Sequence, residues 1–184
     1  MPVAISMLRG VNLGPHRRLK MDALRTMYES IGLLNPQTYV QSGNVIFATK
    51  ERDLAKVAKR IESAIERTFG FSSDVMIRTA EEMRAVIHNN PFAGRAGIEP
   101  NKLVVTFLRD EPTAEAREKV EGIKAEPEEL YARGRELYIY YANGQARPKL
   151  SAPVIEKVLK ISGTARNWNS VTKMLEMAEK LEAS

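Results

Sequence analysis

Apolar positions recur along this chain at two periods, and the changes between them predict its elements. Val3–Leu8 is a short apolar run ended by Gly10, the pattern of a buried strand. Leu24, Met27, Tyr28 and Ile31 then follow helical spacing, with Asp22 as the expected N-cap and Gly32 as the stop. Residues 38–41 and 44–48 flank Ser42-Gly43, a hairpin pattern. A long helix is predicted over 52–69, where Leu54, Val57, Ile61, Ile65 and Phe69 keep one apolar face and Lys56, Lys59, Arg60, Glu62 and Glu66 point away. Residues 74–78 read as a further strand. The order is β-α-β-β-α-β, the ferredoxin-like unit of four antiparallel strands with both helices on one face.

The second half repeats that order. Thr79-Ala80-Glu81-Glu82 forms a capping box that opens a helix ending before Pro91. Residues 89–100, with Gly94, Gly97 and two prolines, are the expected linker. Leu103–Leu108 is a second buried strand, and Thr113 caps the next helix. Residues 130–133 and 136–141 flank Gly134 as a second hairpin. Ser151 caps a further helix, with Leu150 and Ile155 placed as a hydrophobic staple. Residues 161–166 supply a closing strand, and a last helix starts near Trp168. The expected fold is therefore α+β: two tandem ferredoxin-like lobes with antiparallel sheets and a C-terminal helix. The first lobe and its following helix occupy 1–88 and the second lobe 101–184. No repeat is visible in the sequence itself, so the duplication rests on element order alone.

Composition narrows the chemistry. Mean hydropathy is −0.32, and no apolar run approaches the roughly 18 residues of a membrane span. No membrane partner is expected, and the expected compartment is the cytoplasm. With no cysteine there are no disulfides, thiolate metal sites or cysteine nucleophiles. Two distant histidines give no metal site, and no cofactor motif is present. The net charge of +5 is uneven: the first 90 residues carry 13 Lys and Arg against 9 Asp and Glu. The densest basic run is His16-Arg17-Arg18-Leu19-Lys20. Such an excess permits an anionic partner without requiring one.

Several strings then coincide in order: Leu8-Arg9-Gly10-Val11-Asn12-Leu13-Gly14, Tyr39-Val40-Gln41-Ser42-Gly43-Asn44-Val45, Asn90-Pro91-Phe92, Arg133-Gly134-Arg135-Glu136-Leu137-Tyr138, Lys149-Leu150-Ser151 and Thr164-Ala165-Arg166-Asn167-Trp168. Together they resemble the bacterial domain-of-unknown-function family 1697 over nearly the whole chain. That family reads LRGINVGG at its start, YIQSGNV at its first hairpin and TRNW near its end. This chain departs at Pro15, where a second glycine is usual, and at Arg147-Pro148-Lys149, where R-S-K is common. The resemblance implies a two-lobed α+β fold with ferredoxin-like halves. It implies no established activity and no catalytic residues.

Three clusters are candidates for chemistry. In the first loop, Arg9, Asn12 and Lys20 offer side-chain donors, while Pro15 removes an N–H and argues against a cradle made of backbone amides alone. At the first hairpin, Gln41, Ser42 and Asn44 offer amides and a hydroxyl, against the plainer reading of a tight turn. Late in the chain, Lys149 and Arg166-Asn167 place cations at two helix starts, which favour anions. Pairing of those cations with nearby Glu side chains is the plainer alternative. Tyr138 and Tyr140 share a strand face and, if exposed, would stack bases; packing is the alternative. The best expectation is binding of an anionic ligand, nucleic acid or a phosphorylated small molecule, in a basic cleft between the lobes. The alternatives are an enzyme acting on a phosphorylated or carboxylated metabolite, and a structural or interaction protein without a ligand site.

Overall fold

The computed structural model describes every residue from Met1 to Ser184. Each half of the chain is a four-stranded antiparallel sheet with helices. The first half runs β1 (Val3–Leu8), α1 (Met21–Ser30), β2 (Leu34–Tyr39), β3 (Asn44–Ala48), α2 (Leu54–Phe69), β4 (Val75–Thr79) and α3 (Ala80–His88). The second runs β5 (Leu103–Leu108), α4 (Ala114–Glu121), β6 (Glu129–Arg133), β7 (Glu136–Tyr140), α5 (Ala152–Leu159), β8 (Gly163–Asn167) and α6 (Trp168–Ala183). Strand orders are β2-β3-β1-β4 and β6-β7-β5-β8, the ferredoxin-like arrangement in both. No helix is long and apolar enough to cross a membrane.

Chain contacts divide the molecule into two units. The first is Met1–Ala85 with Thr172–Ser184; the second is Val86–Val171. Helices α3 and α6 therefore each begin in one unit and end in the other. Within the first unit, Arg84 on α3 pairs with Glu182 and, at 3.9 Å, with Glu179 on the last turns of α6. The stretch 89–100 belongs to the second unit. It is anchored there by Phe92, which is buried, stands edge-on to Tyr131 at 5.4 Å and lies tilted against Tyr140 at 5.8 Å.

Local chemistry accounts for most boundaries. Asp53 caps α2 by accepting from the amides of Ala55 and Lys56. Thr79 and Glu82 exchange the two hydrogen bonds of a capping box, at 2.9 and 3.0 Å. Thr113 and Ser151 cap α4 and α5. Two expectations are corrected. Asp22 is not the N-cap of α1: the helix starts at Met21 after Lys20, and Asp22 instead pairs with Arg25 in the first turn. The first hairpin's outer strand starts at Leu34, earlier than expected. Pro36 breaks its pattern but is tolerated because β2 is an edge strand with an irregular register there.

In the first unit α1 and α2 cover one face of the sheet. Ala4, Leu8, Val45, Phe47, Val75 and Ile77 share a core with Leu24, Met27 and Tyr28 of α1 and Val57, Ile61 and Ile65 of α2. Tyr28 is fully buried, stands edge-on to Phe47 at 5.6 Å, and meets the Ser6 hydroxyl at 2.7 Å. Burial keeps its phenol neutral far above the usual tyrosine range.

The two sheets share one register. Ser6 lies opposite Val45 and Ile77, and Thr106 lies opposite Leu137 and Ala165. Aligned so, Leu8-Arg9 matches Leu108-Arg109, and Arg78-Thr79 matches Arg166-Asn167. The bonds repeat as well. Leu8 N–H reaches Gly43 O at 3.1 Å and Leu108 N–H reaches Arg135 O at 2.9 Å. Arg9 N–H reaches Asp74 O at 3.0 Å and Arg109 N–H reaches Ser162 O at 2.9 Å. The duplication that the sequence conceals is present strand by strand.

Two stability predictions follow from this packing. A methyl added at Gly43, where φ is +84°, would lie 2.8 Å from Leu8 Cβ and 2.9 Å from Val11 Cγ2. Gly43→Ala is expected to cost about 2–4 kcal/mol in urea unfolding, from left-handed strain and overpacking. Gly14→Ala, with nothing within 4 Å, is expected to be near neutral, and equal costs at the two sites would contradict this account. For the buried hydroxyl pair, Ser6→Ala is expected to cost about 1–3 kcal/mol by stranding the Tyr28 hydroxyl, and Tyr28→Phe less, since Ser6 keeps Val45 O at 3.4 Å. The double variant should cost less than the sum, and strict additivity would show that the contact carries no coupling.

Candidate functional site

The first unit gathers several of the candidate residues at one end of its sheet. After β1 the chain turns through Gly10 (φ +68°) into a loop over residues 9–20. Val11 and Leu19 are buried beneath it. Asn12 closes the loop. Its Oδ1 accepts from Leu19 N–H at 3.0 Å, and its Nδ2 donates to Leu19 O at 3.1 Å and to Gln41 O at 2.8 Å. One side chain thus shuts the loop and latches it to the first hairpin. Asn44 does similar work in the hairpin: it is fully buried, and its Nδ2 donates to Tyr39 O and to Ser42 Oγ, both at 2.9 Å. The side-chain amides of Asn12 and Asn44 are therefore engaged in holding the loop and the hairpin, whereas Gln41 contributes its backbone carbonyl and its side chain is exposed.

The loop's cations divide by role. Arg17 folds inward, donating to Gly10 O at 3.1 Å and Arg9 O at 3.3 Å with its guanidinium 5.2 Å from the Phe71 ring centre. Arg9 is tied through its own backbone, whose carbonyl also accepts from Ser73 Oγ at 2.8 Å. Arg18 donates one N–H to Gly14 O at 3.0 Å and stays exposed. Lys20 and His16 are exposed as well. Leu13 is 84% exposed and Val40, on the facing turn, is 52% exposed.

Backbone strain collects at the same place. Asn12, Arg17 and Val40 hold φ values of +56°, +59° and +52°. For the β-branched Val40 this is costly, on the order of 1–3 kcal/mol. The bonds of Asn12 and Asn44 keep the two loops in this conformation.

The second unit treats its candidates differently. Lys149 Nζ donates to Glu126 O at 2.7 Å. The buried Glu128 carboxylate accepts from the amides of Lys149 and Leu150 at 3.0 and 2.7 Å. The start of α5 is thus already supplied with an anion by the chain itself. Arg166 is buried and donates to Thr164 Oγ1 at 2.7 Å and Ala165 O at 2.9 Å. Burial pushes its guanidinium down to about 10, so it stays protonated at neutral pH. Its register counterpart Arg78, which sequence reasoning passed over, is also buried and likewise donates to the preceding carbonyl, Ile77 O, at 3.0 Å. The feature pointing to it was the R-T/R-N correspondence, legible only once the registers are aligned. Asn167 is the N-cap of α6, accepting from Ser170 N–H at 2.9 Å. Tyr138 and Tyr140 are buried, with Tyr138 OH on Val86 O at 2.5 Å, so they offer no base-stacking face.

The structure therefore joins Asn12 to Gln41 and Ser42 to Asn44, and sets Arg9 and Lys20 at the two ends of one loop. Lys149, Arg166 and Asn167 belong to the second unit, each with local partners.

Among solved structures, the conserved bacterial protein SP0830 from Streptococcus pneumoniae is similar to this chain, with a TM-score of 0.74 at 20% identity. The match covers 97% of this chain and 99% of that one. At that identity the likeness is one of fold. No functionally curated protein matches the sequence. The profile described as a protein of unknown function, DUF1697, matches residues 1–138, three quarters of the length. The chain belongs to the DUF1697 family.

Proposed function

We propose that the protein binds an anionic ligand, nucleic acid or a phosphorylated small molecule, through the latched loop pair of the first unit. The observation that supports this reading is a loop held in a strained conformation with Arg18 and Lys20 turned outward. No Asp or Glu precedes Asp22, while Arg9, Arg17, Arg18 and Lys20 all fall before it. A structural turn needs the glycine and the asparagine latch; it does not need exposed Arg18 and Lys20 beside an exposed leucine. Rigid presentation lowers the ordering cost of binding, since the loop is fixed before the ligand arrives. In this scheme Arg18 and Lys20 contact the anion, and Asn12 and Asn44 position them.

Titration of the full chain with ATP and with a mixed-sequence oligonucleotide tests this. Arg18→Ala combined with Lys20→Ala is expected to weaken binding at least tenfold, about 1.4 kcal/mol, without lowering the melting temperature. Asn12→Ala should weaken binding too, but with faster amide exchange across residues 9–20. Binding indifferent to both changes, or no binding of either probe by the unaltered protein, would sink the proposal.

A further inference from the structure

A second feature of the first unit concerns α2. Lys56, Arg60, Ser63 and Arg67 recur at spacings of four, three and four, so they share one helix face about 16 Å long. Lys59 flanks that row. All five residues are exposed. Like charges three and four apart on a helix repel, and Lys56 stands at those spacings from Lys59 and Arg60.

Several cations on other elements of this chain are answered by carboxylates. Lys119 pairs with Glu115 at 3.2 Å, and Lys180 with Glu176 at 3.1 Å. Lys102 pairs with Glu99 at 2.8 Å, and Arg95 pairs with Glu129. On the α2 row no such pairing occurs. The helix's own acids are placed elsewhere. Glu62 accepts from Val75 N–H at 3.0 Å and so fixes the start of β4. Together with Glu66 and Asp74 it borders an adjoining depression that shares Lys59 and Ser63 with this side of the helix.

The row borders a groove of about 400 Å³ between α2 and the end of α1, lined by Ile31, Lys59, Arg60, Ser63 and Arg67. Three cations and a hydroxyl line it, with no carboxylate. A neighbouring groove of about 410 Å³ shares Arg60 and is also lined by Thr49, Lys50 and Glu51. Arg60 also donates to Ile31 O at the end of α1, which holds it between the two grooves.

We infer that this row is a second anion-binding surface, separate from the loop pair, and that its occupant is a nucleic-acid strand with its phosphates along the row. The cations are spread along an open track rather than converged on one point. A chain of regularly spaced charges meets them together, whereas a single phosphate meets one or two. The grooves also lack the aromatic anchors enriched at protein interfaces.

The test uses the full chain and fluorescein-labelled single-stranded DNA and RNA 20-mers, with anisotropy read across a salt series. Lys59→Ala combined with Arg67→Ala is expected to weaken binding at least tenfold at low salt. It should also flatten the salt dependence by about 1.4 log units per log unit of salt, the loss of two phosphate contacts. Both positions are exposed, so the melting temperature should hold. Arg84→Ala, which removes a paired helix cation, should change neither quantity. Oligonucleotide binding that is insensitive to Lys59 and Arg67 overturns the inference, even where Arg18 and Lys20 remain essential and the loop-pair reading stands. Failure of the unaltered protein to bind either 20-mer overturns it as well. Poly-glutamate bound as tightly, with the same dependence on Lys59 and Arg67, would assign the surface to an acidic protein instead.

Discussion

The first unit depends on how closely its first hairpin approaches the end of β1. Gly43 has no side chain because Leu8 and Val11 occupy that space. Its carbonyl accepts from Leu8 N–H, and the neighbouring Gln41 carbonyl accepts from Asn12. A bulkier residue there would lift the turn, release the asparagine latch and free residues 9–20. The left-handed conformations of Asn12, Arg17 and Val40 persist because this contact over-determines them. The orientation of the exposed cations thus traces back to a missing methyl group in a hairpin.

The shared register makes each sheet a control for the other. Where the first unit buries Ser6 against Tyr28 and covers Val75 and Ile77 with a 16-residue helix, the second has half-buried Thr106 and Gly163 and exposed Ala165 beside an 8-residue helix. A small pocket of about 60 Å³ opens there, bordered by Thr106, Ile155 and Ala165. The strand ends, by contrast, repeat their hydrogen bonds closely. Buried Arg78 and Arg166 recur at the same register, so their first role is architectural, and a role assigned to Arg166 alone would have to explain its twin.

Much of the fold was legible because strand and helix periods are local properties. The capping box at Thr79 and Glu82, the caps at Thr113 and Ser151, and the strands Val3–Leu8 and Leu103–Leu108 follow from side chains acting within four residues of themselves. The site was less legible because its determinants are not local. Nothing in the sequence shows that Asn12 spends its amide on Gln41, 29 residues away. Nor does it show that Glu128 supplies the anion at the start of α5. The α2 row was visible as a polar face but unremarkable, since the lack of facing carboxylates is a matter of three dimensions. Grouping 101–184 as one lobe follows from element order, whereas the contacts place Thr172–Ser184 with the first unit.

That last assignment bears on how the chain comes to be folded during synthesis. The second unit is a continuous stretch, Val86–Val171, and has all its parts once that stretch leaves the ribosome. The first unit, although its sheet and core are translated earlier, gains Thr172–Ser184 only at the end. The half made first is finished last.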